Sequence, residues 1–369
     1  MPVRRRSLIV GLACSIALVL VCQVPRLGAV ADTLPERLTD AEFWALSERL
    51  SEPDGFFRSD NLLSNELYYP EILDHLAERV TAGGVYLGVG PEQNFNYMAA
   101  VQPRIAFITD VRRGNLHLQL MYKALFELSA DRVEFVSRLF TKPRPAHLKA
   151  DTAIADIMDA YWVTDTSPRE VFDRNLKAVH DHLTKTRALP LTLPDLEGIA
   201  DVYGAFYWFG PSITYSSSST SGFGRGGSMA TYYELMLATD TRGVVRSYLA
   251  TEAAFATVKN LQQRNLIVPV VGNFGGARAL RAVGAWVRER GAIVSMFYLS
   301  NVEQYLRQQG LHAVFCANVA SMPLAPQSTF VRSQSGGGGG FRNMLGDMVE
   351  ETRPCLLEPA VAVGAGAAP

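Results

Sequence analysis

The amino-acid sequence predicts an α/β fold with a mostly parallel sheet covered by helices on both faces. Short apolar runs at residues 85–87, 105–110 and 133–136 alternate with segments of helical pattern. Such alternation is typical of parallel strands joined by right-handed crossovers. The runs lack polar alternation, which indicates strands buried on both faces. Two further runs, 266–271 and 292–299, extend the same sheet.

Composition narrows the class of protein. The chain has 369 residues, 48% of them hydrophobic, and a formal net charge of −1. The apolar fraction excludes a disordered chain, and the length allows one large α/β domain. The balanced charge argues against nucleic acid as a partner, because nucleic-acid binders carry a basic excess.

Residues 1–31 read as a signal peptide. Arg4, Arg5 and Arg6 precede an apolar run over 8–24, and Ala29-Val30-Ala31 provides a small-residue cleavage site. We therefore expect an exported protein, periplasmic or extracellular. An uncleaved segment anchored in the membrane through residues 8–24 is the alternative. The paired arginines also fit a twin-arginine signal, so the export route stays open.

An N-terminal helical cap is expected over residues 32–80. Thr39 or Asp40 is suited to cap its first helix, residues 51–55 break that helix, and a second helix is predicted over 69–80.

The Rossmann-like domain is expected over 81–333, with a long helical insertion at about 146–247. The insertion contains a serine- and glycine-rich loop, 216–227, and the last strand is predicted at 312–319. We expect 334–369, which contains five consecutive glycines, to form a disordered Gly/Ala-rich tail. Cys316 and Cys355 are expected to be unpaired, because Cys355 falls in that tail; pairing is the alternative.

The first candidate site lies where the first strand meets its helix. Gly88 and Gly90 allow a sharp turn and close approach of a ligand, and Glu92 and Asn94 follow at the start of the helix. We assign these four residues to cofactor binding. An ordinary strand-to-helix turn is the alternative.

Asp110 ends the next strand, about 20 residues further on, which is the spacing at which a carboxylate accepts hydrogen bonds from ribose hydroxyls. With Arg112, it completes the predicted cofactor site and favours a small polar, nucleoside-like ligand. The alternative is that Asp110 is an ion-pair partner of Arg112 or Arg113.

A third group of polar residues follows the later strands. Asn273, Tyr298, Asn301 and Glu303 are assigned to substrate binding, since Asn side chains orient amines and hydroxyls. Turn formation at Asn273 and helix capping by Asn301 are the alternatives.

The sequence lacks the motifs of several other kinds of active site. The chain contains neither a phosphate-binding loop G-x-x-x-x-G-K-[ST] nor a nucleophile elbow G-x-S-x-G. Its six histidines do not show the spacing of metal ligands, so we expect no metal.

The glycine turn, the Asp110 strand end and the Asn273 strand end together resemble the Rossmann-like fold of class I S-adenosylmethionine-dependent methyltransferases. More closely, several blocks resemble an uncharacterised bacterial family with such a core. These blocks are 57–61, 86–94, 110–115, 268–276 and 298–305. The resemblance implies S-adenosylmethionine as cofactor. The chain departs from the pattern, because Tyr86-Leu87 stand where an acidic residue precedes the glycines and the third glycine is missing.

Two functions follow as hypotheses. In the first, the chain is a methyltransferase-like protein that binds a nucleoside-like ligand at the strand ends, where any catalysis would rest on alignment of donor and acceptor. In the second, the fold is a non-catalytic binding protein of the cell envelope. Its contact surface would be the aromatic residues of the insertion, unless they only cover the sheet; they are Tyr203, Phe206, Tyr207, Trp208, Phe209 and Tyr215.

Overall fold

A six-stranded sheet forms the centre of the computed structural model, which describes residues 32–215, 217, 229–335 and 341–356. The strand order is β3-β2-β1-β4-β5-β6. Strands β1 to β5 are parallel, and β6 pairs antiparallel with β5. The strands are β1 Val85–Val89, β2 Ile105–Asp110, β3 Ile267–Val271, β4 Val294–Ser300, β5 Thr329–Ser335 and β6 Phe341–Asp347. The strand order reverses between β1 and β4, which is where ligands bind in open α/β sheets.

Helices flank this sheet, so the structure confirms the predicted α/β, Rossmann-like class. Every residue of β2 and β3 is buried, as strands covered on both faces require. The helices are α1 Asp40–Leu50, α2 Leu73–Arg79, α3 Gln93–Val101, α4 Arg113–Leu128, α5 Arg132–Phe140, α6 Ile154–Val163, α7 Arg169–Asp181, α8 Leu193–Phe209, α9 Tyr232–Leu237, α10 Glu252–Gln263, α11 Ala279–Glu289, α12 Val302–Gln308, α13 His312–Ala320 and α14 Met348–Thr352.

The N-terminal part is helical at both ends and irregular between them. Thr39 caps α1 in a capping box with Glu42. A 3-10 turn at Tyr69–Ile72 leads into α2. Between the two helices, residues 51–66 run without regular structure along the carboxyl ends of the strands, and we call this segment the strap.

Two predicted strands are helices. Residues 133–136 belong to α5, and residues 312–319 belong to α13. Among the described residues between β2 and β3, the regular elements are therefore helices. In α5 the buried positions Val133, Val136 and Phe140 recur at helical spacing. Three apolar residues within the four positions 133–136 do not distinguish this spacing from that of a buried strand, which explains the error.

The predicted disordered tail is also wrong for most of its described residues. Residues 334–335 end β5, 341–347 form β6, and 348–352 form α14. Cys316 and Cys355 form a disulfide that joins α13 to the turn after α14, which corrects the expectation of unpaired thiols. The predicted leader (1–31), nearly all of the loop 216–227, the glycine run 336–340 and the segment 357–369 lie outside the described residues.

No helix within the described ranges is long and apolar enough to cross a membrane.

Candidate functional site

The strap contacts the ends of β1, β2, β3 and β4. At β3, both carboxylate oxygens of Glu52 accept backbone hydrogen bonds, from the N–H groups of Asn273, Arg278 and Ala279 at 2.9–3.0 Å. This carboxylate therefore occupies the positive N-terminal end of α11. Asn273, predicted to bind substrate, instead directs its side-chain oxygen to the N–H of Gly275 in a turn.

At the end of β2, Arg112 connects the strap to Asp110, the acidic residue predicted to bind the ligand. Asp110 accepts two side-chain hydrogen bonds from Arg112, at 3.0 and 2.9 Å, and Arg112 also donates to the carbonyl of Ser59 in the strap. Asp110 and Arg112 are 5% and 9% exposed. Asp110 therefore forms the ion pair with Arg112 that was the alternative to ligand binding, and both of its carboxylate oxygens already have a partner.

The glycine turn after β1 is filled by Asn94. Its amide nitrogen donates to the carbonyls of Val89 and Pro91 at 2.9 and 2.7 Å, and its oxygen accepts from the Tyr86 hydroxyl at 2.8 Å. A Cβ at Gly88 would lie 1.9 Å from that oxygen. Gly88 therefore makes room for Asn94 rather than for a ligand. Gly90 has a φ of +72°, which glycine adopts readily.

Two buried carboxyl groups, one at the end of the strap and one after β1, lie near β1 and β4. Glu66 accepts hydrogen bonds from Tyr298, Ser300 and Asn343, and Glu92 accepts from the backbone N–H of Ser64. Glu66 and Glu92 are 1% and 0% exposed.

Burial raises the pKa of Glu66 and raises that of Glu92 to about 8, where the charge of Glu66 adds to the effect. Glu66 is a site residue that the sequence reasoning missed, because it lies in an irregular segment with no motif.

A second group missed from the sequence surrounds the glycine turn. Asn115, Gln119, Gln93 and Thr109 are each at most 2% exposed. Gln119 donates to the carbonyl of Gly90 at 2.9 Å, and Asn115 lies one turn earlier on the same face of α4. Gln93 begins α3, and Thr109 pairs in register with Val89.

Three of these side chains carry hydrogen-bonding atoms without a partner among the described residues. The atoms are Asn115 Oδ1 and Nδ2, Gln119 Oε1 and Thr109 Oγ1, whereas the Gln93 side chain interacts with the Tyr97 hydroxyl. Because unpaired buried polar atoms cost about 1–3 kcal/mol each, such a group calls for a compensating partner. The sequence does carry a signal for this group, because Gln93, Asn115 and Gln119 are polar residues near the start of the helices that follow β1 and β2.

The remaining predicted residues are dispersed. Tyr298 joins the buried cluster through Glu66, whereas the side chain of Asn301 makes no capping hydrogen bond at α12. Glu303 pairs with Arg332 and His312 in a separate cavity of about 420 Å³. Within the described ranges, no group of three or more His, Cys, Asp or Glu side chains is arranged to hold a metal ion.

Most of the aromatic residues of the insertion pack internally. Tyr203 and Phe206 are fully buried and Tyr207 is 7% exposed, whereas Trp208 and Phe209 are 71% and 42% exposed. The first three therefore cover the core, Tyr215 is half-buried, and the last turn of α8 presents the exposed aromatic surface of this predicted set.

Comparison with known proteins gives one family. The sequence matches the profile of a family described as a domain of unknown function (DUF7790) over residues 62–190 and 213–350. No curated protein matches the chain.

Proposed function

The chain belongs to the family described as a domain of unknown function (DUF7790), and we propose that it binds a small nucleoside-like ligand beneath the strap, at the carboxyl ends of β1 and β2. One observation carries the proposal: buried polar atoms of Asn115, Gln119 and Thr109 lack a partner among the described residues, on the two elements, β2 and α4, that lie beside the glycine turn. The position beside the reversal of strand order is the usual ligand position of this sheet topology.

S-adenosylmethionine fits this edge of the sheet poorly. Arg112 engages both oxygens of Asp110, the residue expected to hold a ribose, and Asn94 fills the space beside Gly88. We therefore do not propose methyl transfer as the activity of this protein. What the chain's own residues offer is binding: Asn115 and Gln119 would orient the ligand, and the strap would exclude water from it.

Thermal denaturation of the purified protein tests the proposal. A ligand that binds only the native state raises the melting temperature by mass action. We expect a rise with a nucleoside such as adenosine, larger than the rise with S-adenosylmethionine or S-adenosylhomocysteine. A folded sample that responds to no small polar ligand would contradict the proposal.

That negative result would favour a second candidate, a non-catalytic binding protein of the cell envelope. Its specific support is the exposed aromatic surface of Trp208 and Phe209 on α8. Replacement of both residues by serine should then weaken capture of a partner without lowering the melting temperature. Lower stability with unchanged capture would assign the two side chains to packing.

A further inference from the structure

We propose that the ligand beneath the strap is uncharged and that the side-chain amide of Asn115 recognises it through one donor and one acceptor. Nucleobase edges and primary carboxamides carry this pairing. The inference rests on the proposed function and narrows it to a class of ligand.

The charged side chains beside the glycine turn on β2 and α4 are already paired. Arg112 pairs with Asp110 at 2.9 Å, and Arg113 pairs with Asp195 at 2.7 Å. The Glu52 carboxylate is held by backbone N–H groups, and burial raises the pKa of Glu66 and Glu92, which favours their neutral forms. An ionic ligand would bury a charge without a counter-charge, which is strongly unfavourable.

The Asn115 side chain is suited to a planar ligand edge. Asn115 lies in the first turn of α4, where its backbone N–H bonds to the carbonyl of Arg112 at 3.2 Å. Its side chain is buried, and both Oδ1 and Nδ2 lack a partner among the described residues. An asparagine amide presents donor and acceptor in one plane, so it pairs with a complementary edge in two hydrogen bonds.

Gln119 and Gln93 extend the same pattern. The nitrogen of Gln119 is fixed on the carbonyl of Gly90, which leaves its oxygen as an acceptor. Gln93 is a neutral amide that interacts with the Tyr97 hydroxyl. The surroundings of the ligand are thus neutral donors and acceptors rather than ions.

Matched ligand pairs test the charge requirement. Dissociation constants are measured on the full chain for adenosine against adenosine 5′-monophosphate, and for nicotinamide against nicotinate. We expect binding of at least one uncharged member, with its charged counterpart about tenfold weaker or more, which corresponds to about 1.4 kcal/mol. Adenosine alone would identify a nucleobase, and nicotinamide alone a carboxamide. Equal or tighter binding of the charged member overturns the inference while the proposed function stands, and binding of none overturns both.

Variants test the role of Asn115. Asn115→Leu removes the two unpaired atoms at similar volume, so we expect the ligand affinity to fall at least about tenfold with no loss of melting temperature. Asn318→Leu is the matched control, because Asn318 is fully buried but both of its side-chain atoms are paired, with Arg281, Phe274 and Gly276.

The control should lower the melting temperature and keep the ligand affinity. Should Asn115→Leu fail to fold, Asn115→Asp replaces the donor by a charge in the same shape and must weaken binding likewise. Retained affinity in a folded Asn115 variant refutes the assignment.

Discussion

At the scale of single residues, the glycine turn depends on one intramolecular fit. Gly88 lacks a side chain because Asn94 Oδ1 and a ring carbon of Tyr86 occupy the space, 1.9 and 2.7 Å from where a Cβ would lie. Asn94 in turn donates to the carbonyls of Val89 and Pro91 in the turn that precedes α3. The absence of a side chain at Gly88 therefore allows Asn94 to make the hydrogen bonds that hold the turn.

We predict that Gly88→Ala lowers the free energy of unfolding by about 2–4 kcal/mol, from overpacking together with loss of Asn94 hydrogen bonds. Gly114→Ala is the matched control: a Cβ there meets nothing within 4 Å, and the residue lies in the first turn of α4. The control should be neutral or stabilise by up to about 1 kcal/mol. Urea unfolding measures both, and equal stability of the two variants would refute the fit.

At the scale of elements, the strap is held by side chains rather than by regular structure. Glu52 fixes its first residues on α11, Arg112 holds its middle, and Glu66 and Glu92 hold its end. Because the strap lacks the continuous backbone hydrogen bonds of a strand or a helix, it should open locally at a lower free energy than the sheet it covers. A ligand would reach the site beneath the strap through this local opening.

Removal of the first anchor should expose the strap to protease. Glu52→Ala leaves the N–H groups of Asn273, Arg278 and Ala279 without their acceptor. We expect trypsin to cleave after the exposed Arg58 at least several-fold faster than in the parent protein. Cleavage after Arg242, an exposed turn residue far along the chain, is the internal reference. An unchanged ratio of the two rates would show that Glu52 does not anchor the strap.

Glu92 makes stability depend on pH. Its pKa rises from 4.5 to about 8 on folding, so the folded state binds the extra proton between those values. Stability must therefore fall as pH rises from about 5 to 8, at up to about 1.4 kcal/mol per pH unit from this group, and level off above 8. Glu66, whose pKa is also raised, acts in the same direction.

The test compares urea unfolding of the parent protein with that of Glu92→Gln across this range. The amide does not titrate, so the difference in unfolding free energy between the two proteins should grow with pH in favour of the variant. Groups that do not interact with Glu92 cancel in this comparison, including His180, whose lowered pKa acts in the opposite direction. Parallel pH profiles would mean that the Glu92 carboxyl titrates normally.

At the scale of the whole molecule, the sequence predicts the fold better than the site. Apolar runs correctly located β1 to β4, because continuous burial leaves a clear signal. The strand ends were also correctly located, including the glycines and Asp110. Their partners could not be predicted, since the contacts of Glu66 with Asn343 and of Glu52 with Ala279 join residues more than 200 positions apart in the chain.

The C-terminal region was misread for a related reason. Its glycines and small residues are typical of a disordered tail, whereas the buried positions of β6, such as Asn343, become apparent only once β5 provides a partner. The disulfide has the same origin. Cys316 and Cys355 are 39 residues apart, and pairing of β5 with β6 turns the chain back so that α14 packs against α13.

We therefore predict that the disulfide stabilises the whole domain. Closing a 39-residue separation restricts the unfolded chain by about 4 kcal/mol in the chain-entropy account, and 2–4 kcal/mol is typical. Reduction should lower the free energy of unfolding by that amount without unfolding α14, because buried Met348 and the Arg332–Glu351 ion pair at 2.8 Å hold this helix independently.

Urea unfolding with and without dithiothreitol measures the effect. The variant Cys316→Ser/Cys355→Ser should be as unstable as the reduced protein and should no longer respond to the reductant, which separates this bond from any effect of Cys14 and Cys22. A parent protein whose stability ignores dithiothreitol while its thiols become free would show that strand pairing alone closes this end of the sheet.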